Sequence, residues 1–433
     1  MRLAEIFCDN MILQRGKEIA VFGYGKGNGS IKFCGKVTEF NSDDDKFCIY
    51  LPAETEGGPY EMTVTLNGEE QVIKNILIGD VYLAGGQSNM ELMLKDTAEI
   101  EFFPNDKVRF FKEPNNQDRE GNVFYNFNGW QAADGQCELN HSAIGYYVAA
   151  RIFEKTKVPV GIVECYKGAS RVESWTSPEI TETEEYLKWM GIRHLDYEFF
   201  VFNKQNWLYK NKLLNVAPFG ISGVLWYQGE SNRGHEEAVF YADTFRKMVE
   251  NWRSLWNENL PFYTVQLMPY NEPCDKSDLS TIRLEQERAA REISGVYLTT
   301  LVETGEASNI HPTHKKTTAK CLANAILNVQ FGENNEYSGP ILKNVNFEQG
   351  TLILEFSHAE NLEIKGDCLN DVLVLDKSGE QIDFNAEVNA NRLILTLKIE
   401  KTPSTLLMGD QNAPKHNLYN EAGFLAAPIR YKF

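Results

Sequence analysis

Four residues with side chains or backbone groups useful for acyl transfer follow four separate apolar runs of this chain. Ser88, Gly168, Gln228 and His311 each stand just after a run that reads as a buried strand. Functional sites of parallel sheets lie beyond the carboxyl ends of the strands, so we expect these residues at one edge of a sheet. A serine hydroxyl needs a base to take its proton, and the tetrahedral intermediate needs fixed donors for its oxyanion. The set therefore predicts acyl transfer.

The serine lies in a short glycine-containing stretch, Gly85-Gly86-Gln87-Ser88-Asn89-Met90. The two glycines allow a sharp turn, and a helix beginning at the serine would direct N–H groups at an oxyanion. An alternative is that Ser88 only caps a helix. Position 90 is Met, so the G-x-S-x-G elbow of the α/β-hydrolases is absent.

The periodicity of apolar residues divides the chain into three predicted regions. Residues 1–78 alternate with period two and contain the hairpin signal Asn67-Gly68, which predicts a small β-sandwich. Residues 79–330 alternate strands with amphipathic helices, which predicts an α/β domain whose parallel sheet is covered on both faces. Residues 331–433 return to period two and predict a second β region, with packing against the first β region left open.

The strands and helices of the middle region are predicted from apolar runs and from apolar stripes at helical spacing. Strands are expected at residues 81–84, 160–165, 224–227, 262–267 and 296–302, and helices around 144–152, 241–252, 282–293 and 319–329. Two long polar or aromatic segments, 91–141 and 176–210, interrupt this alternation. We expect them to form the rim of a pocket, with simple surface elaboration as the alternative.

Composition and charge limit the classes of partner and compartment. A length of 433 residues favours two or three domains, and a net charge of −18 argues against nucleic acid or an anionic membrane as the main partner. A homo-oligomer remains open. The N-terminus has no apolar run of signal-peptide length, and the eight scattered cysteines include no Cys-x-x-Cys pair. Both observations favour free thiols and a cytoplasmic location, although a removed signal peptide would leave the same pattern.

Several blocks in fixed order resemble the sialate O-acetylesterase family, carbohydrate esterases of the SGNH type. The resemblance covers nearly the whole chain. Its blocks are 6–15 near the N-terminus, Gly-Gln-Ser-Asn-Met at 86–90, Trp-Tyr-Gln-Gly-Glu-Ser-Asn at 226–232, 261–267, Ile-His-Pro at 310–312, and 417–420 with 427–430 near the end.

The resemblance implies a fold and a set of roles. The fold is a three-layer αβα domain with a flavodoxin-like parallel sheet, flanked by all-β regions. The nucleophile is Ser88 and the general base is His311, with Pro312 restricting the histidine backbone. The implied oxyanion donors are the backbone N–H groups of Ser88 and Gly168 and the side chain of Gln228 or Asn232. The implied sugar contacts are Gln87, Asn89, Arg171 and Trp175, although the last two can instead brace their loop. No cofactor and no metal are implied.

The acid that supports the histidine departs from the family pattern. Family members often carry Asp-Ile-His-Pro, whereas positions 308 and 309 here are Ser and Asn. We predict Glu230 as the supporting acid because it is the carboxylate inside a family block. Asn309 is the main competitor, and Glu303 and Glu306 are weaker candidates. His314 competes with His311 as the base.

The function implied by the resemblance is removal of O-acetyl groups from a sugar by a metal-independent serine esterase. Sialic acid is the expected sugar, with acetylated xylan or another hemicellulose as the alternative substrate. A different class of function, a carbohydrate-binding relative that has lost activity, is favoured only by the missing acid before His311. The sequence does not distinguish among acetylated sugars, because the acyl site is common to all of them.

Overall fold

A computed structural model describes residues 1–117, 122–183, 200–271, 277–300, 305–398 and 401–433. The chain forms two compact units. Unit 1 contains residues 1–226 and 247–262, and unit 2 contains residues 227–246 and 263–433. The predicted boundary at residue 78 falls inside one continuous strand, Glu69–Gly86. The three-region division therefore stays a prediction from sequence.

The N-terminal part of unit 1 is all-β, as predicted. Strand β3 lies between β1 and β6 in one antiparallel sheet, and β4 pairs with β5 and β7 in another. The β7–β8 hairpin turns at Asn67 (φ 52°) and Gly68 (φ 83°), which confirms the Asn-Gly turn. The strands are β1 (Arg2–Leu3), β2 (Ile12–Gln14), β3 (Ile19–Tyr24), β4 (Gly27–Phe33), β5 (Lys36–Ser42), β6 (Lys46–Leu51), β7 (Gly57–Leu66) and β8 (Glu69–Gly86).

Strand β8 leads from this β region into the large sheet of unit 1. Its first half is partly exposed, whereas every residue from Ile76 to Gly86 is buried. In unit 1 the sheet has the order β12-β9-β13-β8-β14. Strands β8, β13 and β9 are parallel, and β12 is antiparallel to β9. The further strands are β9 (Asn105–Lys112), β10 (Asn115–Gln117), β11 (Val123–Tyr125), β12 (Trp130–Ala133), β13 (Val160–Tyr166) and β14 (Gly223–Tyr227).

Two expectations about this sheet were wrong. The sheet is mixed rather than wholly parallel, because β12 runs antiparallel to β9. The segment 91–141, expected as a rim loop, contributes the internal strand β9, whose residues Val108 to Phe111 are buried. The buried part of β9 is only four residues long and includes Arg109, so the sequence shows no apolar run that would indicate a strand. Of the second expected rim segment, residues 184–199 lie outside the described part.

The predicted helices are confirmed in type and place. Ser142 caps α2 by accepting the Gly145 N–H, as expected of a serine N-cap. The helix after Ser88 is only four residues long. The helices are α1 (Ser88–Glu91), α2 (Ala143–Thr156), α3 (Pro178–Thr181), α4 (Leu214–Val216), α5 (His235–Ala238), α6 (Tyr241–Trp256), α7 (Leu279–Glu292) and α8 (Lys316–Phe331).

Unit 2 contains the neighbouring strands β15 and β16 and a C-terminal β region. Strands β17, β18, β22 and β21 form an antiparallel sheet in that order, and β20, β23 and β25 form another. The strands are β15 (Phe262–Val265), β16 (Val296–Thr299), β17 (Ile341–Glu348), β18 (Thr351–Ser357), β19 (Leu362–Ile364), β20 (Val372–Leu375), β21 (Phe384–Asn389), β22 (Arg392–Leu397), β23 (Thr405–Met408), β24 (Leu418–Asn420) and β25 (Ile429–Lys432).

The C-terminal region is all-β, as the period-two pattern predicts, and it contains a hydrophobic core. Alternate residues of β18 and β22, such as Leu352, Leu354 and Leu393, are fully buried in it together with Val374. Within the described ranges, no helix is both long and apolar enough to cross a membrane.

Candidate active site

Ser88 begins α1 directly after the buried strand β8. The turn is held by backbone hydrogen bonds in which Gln87 O accepts from Met90 and Glu91, and Ser88 O accepts from Leu92. Gly86, with φ 122°, has a backbone conformation that favours glycine. A Cβ at Gly85 would lie 3.1 Å from the Trp226 ring, so this glycine permits close packing. Strand and turn thus fix the serine backbone.

Gly168 follows β13, the parallel neighbour of β8, and lies beside Ser88. A Cβ atom at position 168 would be 3.6 Å from Cβ of Ser88, so the structure brings these two predicted residues together. The same Cβ would be 2.9 Å from Oε2 of Glu91, so a side chain at position 168 would require the end of the Glu91 side chain to shift. The absence of a side chain at Gly168 thus leaves room for the Glu91 carboxylate beside the serine.

The Gly168 N–H already has an acceptor. It donates to Oε2 of Glu91 at 2.6 Å, and Glu91 is the last residue of α1. A carboxylate on this N–H occupies the donor that an oxyanion would use. Gly168 can therefore act as an oxyanion donor only after the Glu91 carboxylate has moved. The sequence pattern did not reveal Glu91, because nothing in its spacing indicates a contact with residue 168.

The loop after Gly168 is braced by buried polar groups. Asn203 donates from Nδ2 to Ala169 O at 2.8 Å and accepts the Arg171 N–H at 2.9 Å. Ser170 Oγ donates to Gly86 O at 3.2 Å and accepts from Nε1 of Trp175 at 3.0 Å. Ala169 has φ 59°, a left-handed conformation that is costly for a residue with a Cβ. The bracing thus holds a strained loop beside the serine.

Trp175 is part of the core and is not placed to contact a sugar. It is fully buried, and its ring lies 6.3 Å from the Trp226 ring and 6.4 Å from the Trp252 ring. Edge-to-face pairs of this kind contribute about 0.5–1.5 kcal/mol each beyond burial of area. Of the remaining expected sugar contacts, Gln87 and Asn89 are also buried, and Arg171 is partly exposed. The bracing role left open for Trp175 is the one the structure shows.

A buried charged network supports the serine turn from within unit 1. Glu164 in β13 accepts from the Ser142 N–H at 2.7 Å, from the Tyr166 hydroxyl at 2.9 Å, and lies 3.0 Å from Nδ1 of His141. Burial would raise the pKa of Glu164, but His141 and the remaining partners hold it below its usual value. Ser142 Oγ in turn donates to Met90 O at 2.6 Å. The network therefore connects β13, the start of α2 and the turn that carries Ser88.

The segment between α1 and α2 is closed at its base. Leu94 N donates to His141 O at 3.0 Å, Ala143 N donates to Leu92 O at 3.0 Å, and Met93 forms a bridge with Ser142. These contacts join the two ends of a segment of about fifty residues. The position of α1 is thus tied to the start of α2.

In unit 2 the amide side chains after β14 are fixed by one another. Nε2 of Gln228 donates to Oδ1 of Asn232 at 2.8 Å, and the Tyr241 hydroxyl donates to Oε1 of Gln228 at 3.1 Å. Both amide side chains are buried. Because Asn232 Oδ1 accepts from Gln228, the orientation of the Asn232 amide is fixed. Gln228 thus positions Asn232.

His311 lies in a turn organised by Glu306 and Asn309. Glu306 accepts from the Thr313 N–H at 2.6 Å and from Nδ2 of Asn309 at 3.2 Å. Oδ1 of Asn309 accepts the backbone N–H of His311 at 3.0 Å. The Asn309 side chain is therefore engaged with the backbone of the turn. The competing base His314 is exposed, and Glu303, a weaker candidate for the supporting acid, lies outside the described residues.

Glu230 and Lys315 are two ionisable residues that are both buried in unit 2. Glu230 is 5% exposed and belongs to the short 3-10 helix Glu230–Asn232, while Lys315 is 3% exposed and precedes α8. Nζ of Lys315 lies 5.2 Å from the centre of the Tyr227 ring. Burial lowers the pKa of Lys315 to about 7, and Glu230 and Glu306 act against that effect. The pKa of His311 is lowered by burial and then by Lys315. The sequence pattern did not reveal Lys315.

One group in the described ranges has the composition of a metal site. Asp134, Cys137 and Glu138 place ligand atoms within 4.8 Å of one another. However, Asp134 accepts the N–H groups of Gln136 and Cys137, and Glu138 accepts that of Gly135. These acids thus stabilise their own turn.

A cavity of about 520 Å³ lies elsewhere in unit 1. It is lined by residues such as Tyr24, Phe47 and Glu113, and its lining does not include Ser88. The cavity is therefore separate from the serine turn.

Comparison with known proteins identifies the family. The family described as carbohydrate esterase, sialic acid-specific acetylesterase, matches residues 78–328, more than half of the chain. The chain belongs to this family. The matched range is close to the predicted α/β region 79–330 and contains both Ser88 and His311. The resemblance seen in the sequence blocks is thereby confirmed, and the chain is a carbohydrate O-acetylesterase by family.

Individual members of the family match over most of their length. The sialate O-acetylesterase of Homo sapiens is 22% identical over 420 residues, which cover 84% of this chain and 78% of that protein. The sialate O-acetylesterase of Mus musculus is 21% identical over 435 residues, with 84% and 80% covered. The crystal structure of a carbohydrate acetylesterase from Xanthomonas citri is 27% identical, with a TM-score of 0.86 over 99% of both chains. The similarity therefore extends through the flanking β regions.

Proposed function

We propose that this protein removes O-acetyl groups from sialic acid by a serine mechanism. The observation that carries the proposal is the position of Ser88, which directly follows the buried end of strand β8. A Cβ atom built at Gly168 would lie 3.6 Å from Cβ of Ser88, so the two residues are close neighbours. A backbone N–H beside a serine at a strand end is the arrangement that acyl transfer needs. Sialic acid as the sugar rests on the human and mouse relatives, which are sialate O-acetylesterases.

The proposed mechanism has two halves. Ser88 Oγ attacks the acetyl carbonyl carbon while His311 accepts the serine proton, and the tetrahedral intermediate expels the sugar hydroxyl, which takes that proton from His311. Water then gives a proton to His311 and attacks the acetyl-serine, and acetate leaves as Ser88 regains its proton. Each half-reaction leaves His311 neutral, so the base is ready for the next cycle.

The proposed oxyanion donors are the backbone N–H groups of Ser88 and Gly168 and an amide of the 228–232 block. Asn232 is the better candidate of the two amides, because Gln228 directs Nε2 at Asn232 and orients it. The Gly168 donor requires release by Glu91, with which it now shares a hydrogen bond. Each such donor contributes on the order of 3 kcal/mol to stabilising the transition state.

We further propose a three-layer αβα arrangement for the catalytic region and Arg171 as the sugar contact.

The direct test is acetate release from a panel of defined substrates. We expect release from O-acetylated sialic acids, and slower or no release from acetylated xylo- or manno-oligosaccharides. A chromogenic acetate ester reports whether the acyl site works regardless of the sugar. Preferential release from the hemicellulose substrates would overturn the sialate assignment but keep the esterase. Absence of hydrolysis with every ester would overturn the catalytic proposal and favour a binding protein.

We also propose that the protein works in the cytoplasm. The cysteines of the described residues, seven in number, are free thiols, and Cys274 lies outside those residues. We expect eight thiols to react when freshly purified native protein is denatured without reductant and titrated. Two or more disulfides in that material would instead indicate an exported enzyme.

A further inference from the structure

A carboxylate of this chain lies beside Ser88, on the backbone N–H of Gly168. That N–H donates to Oε2 of Glu91 at 2.6 Å, a short distance that fits a hydrogen bond to a charged acceptor. A Cβ atom built at Gly168 would lie 2.9 Å from the same oxygen and 3.6 Å from Cβ of Ser88. The Glu91 carboxylate and the serine therefore lie close to the same point, and all three residues belong to unit 1.

The Gly168 N–H has one proton to donate, so two oxygen acceptors compete for it. The carbonyl oxygen of an acetyl ester is neutral and is a weaker acceptor than the Glu91 carboxylate. The oxyanion of the tetrahedral intermediate has the same sign of charge as that carboxylate, so the two repel each other. An ester can therefore use this donor only in molecules whose Glu91 side chain has turned away.

The Glu91 side chain can turn away while its backbone stays in place. Glu91 N donates to Gln87 O at 3.0 Å, and Leu92 N donates to Ser88 O at 2.8 Å. The side chain itself is partly exposed. Exposed side chains change rotamer in picoseconds to nanoseconds, which is far faster than the turnover of a typical enzyme. The form with the N–H occupied and the form with the N–H free thus stay in equilibrium during catalysis.

We propose that the Glu91 carboxylate is a built-in competitor for the position of the acetyl carbonyl oxygen, and that free acetate binds at this position. The end of a glutamate side chain, CH₂–COO⁻, is chemically an acetate group, so the product and Glu91 present the same acceptor. The proposal rests on the proposed role of Gly168 as an oxyanion donor, and it adds the control of that donor by one side chain.

Competition of this kind has a quantitative consequence. If only a fraction of the molecules has the N–H free, the apparent dissociation constant of every ligand of that N–H is divided by this fraction. The KM for an ester and the dissociation constant of acetate are therefore raised by one common factor. The value of kcat is not affected, because Glu91 has already been displaced in the bound complex.

The test is the variant Glu91→Ala, assayed with a neutral chromogenic acetate ester so that substrate charge plays no part. We expect KM to fall about tenfold, the factor for a net hydrogen bond to a charged group, while kcat changes less than about twofold. The dissociation constant of ¹³C-labelled acetate, measured by NMR at constant ionic strength, should fall by the same factor. Glu91→Gln keeps an oxygen acceptor without the charge, so both constants should lie between those of the wild type and Glu91→Ala.

The matched control is Asp96→Ala, which removes an exposed carboxylate from the same segment of the chain. We expect its KM and its acetate affinity to equal those of the wild type. A direct catalytic role of Glu91 would lower kcat in both Glu91 variants. A merely structural role would lower the free energy of unfolding without tightening acetate. Either result, or a KM and an acetate affinity that stay unchanged in Glu91→Ala, would overturn the proposal.

Acetate binding needs no turnover, so it separates this proposal from the proposed function. If no ester is hydrolysed but Glu91→Ala binds acetate about tenfold more tightly, only the esterase assignment fails. If the wild type is an active esterase but acetate binds equally to both proteins, only the role of Glu91 fails. Should Glu91→Ala not fold, Glu91→Gln, which has the same size as the wild-type side chain, decides by the direction of the change in acetate affinity.

Discussion

The variant Ser88→Ala is expected to lose activity by several orders of magnitude while keeping its fold. Without the hydroxyl no acetyl-serine forms, and only the oxyanion donors and substrate binding remain to accelerate hydrolysis. The fold should survive because the turn is held by backbone bonds to Gln87 O and Ser88 O, which alanine preserves. The measurements are kcat/KM for a chromogenic acetate ester and the free energy of unfolding in urea.

A control for this variant is Ser294→Ala, a serine in an exposed turn after α7. We expect its activity to equal that of the wild type. A second check is mass spectrometry of the wild-type enzyme quenched during turnover, in which the acetyl group should reside on the peptide containing Ser88. If Ser88→Ala keeps near-full activity, another nucleophile carries the reaction.

The variant Glu230→Gln is expected to lower kcat by about 10²–10⁴-fold, by analogy with the acids of catalytic triads. Glutamine keeps the packing of this buried side chain but removes its charge. The loss of charge also removes one of the two acids that oppose the lowering of the Lys315 pKa. Kinetics at several pH values would measure both effects.

The comparison variant Asn309→Ala is expected to cost much less activity. Asn309 holds the backbone of the turn through the His311 N–H and Glu306, and alanine would loosen that turn without removing a charge. If kinetics instead show that Asn309→Ala is the more damaging change, the supporting acid is not Glu230. The imidazole would then depend on the turn geometry set by Asn309.

The fold of this protein could be predicted from sequence where the signal was local. The hairpin at Asn67-Gly68 could be predicted because few residue pairs accept two positive φ angles in succession. Helix α6 could be predicted because Tyr241, Phe245 and Trp252 recur at helical spacing. These residues form the buried face of the helix. Strand β13 was predicted from its apolar run, because runs of that length are typical of internal strands. The structure shows that all its residues are buried.

The missed features depend on contacts between residues far apart in sequence. Arg109 interrupts the apolar run of β9, yet its guanidinium is buried because it donates to the backbone oxygens of Asn10 and Asn75. Glu91 reaches Gly168 across seventy-seven positions, and no spacing rule indicates that hydrogen bond. Nothing in the sequence distinguishes Lys315 from a surface lysine, and only the three-dimensional structure shows that it is buried.

Because the two ends of the segment between α1 and α2 are hydrogen-bonded to each other, the rest of that segment can change in sequence without moving the predicted nucleophile. Its ends are joined by Leu94 to His141 and by Ala143 to Leu92, so a change of length elsewhere in the segment need not shift α1. Each doubling of a loop costs only about 0.6 kcal/mol in closure entropy. Surface stretches of this segment can therefore be exchanged between relatives, and we expect the rate of acyl transfer to water to stay constant.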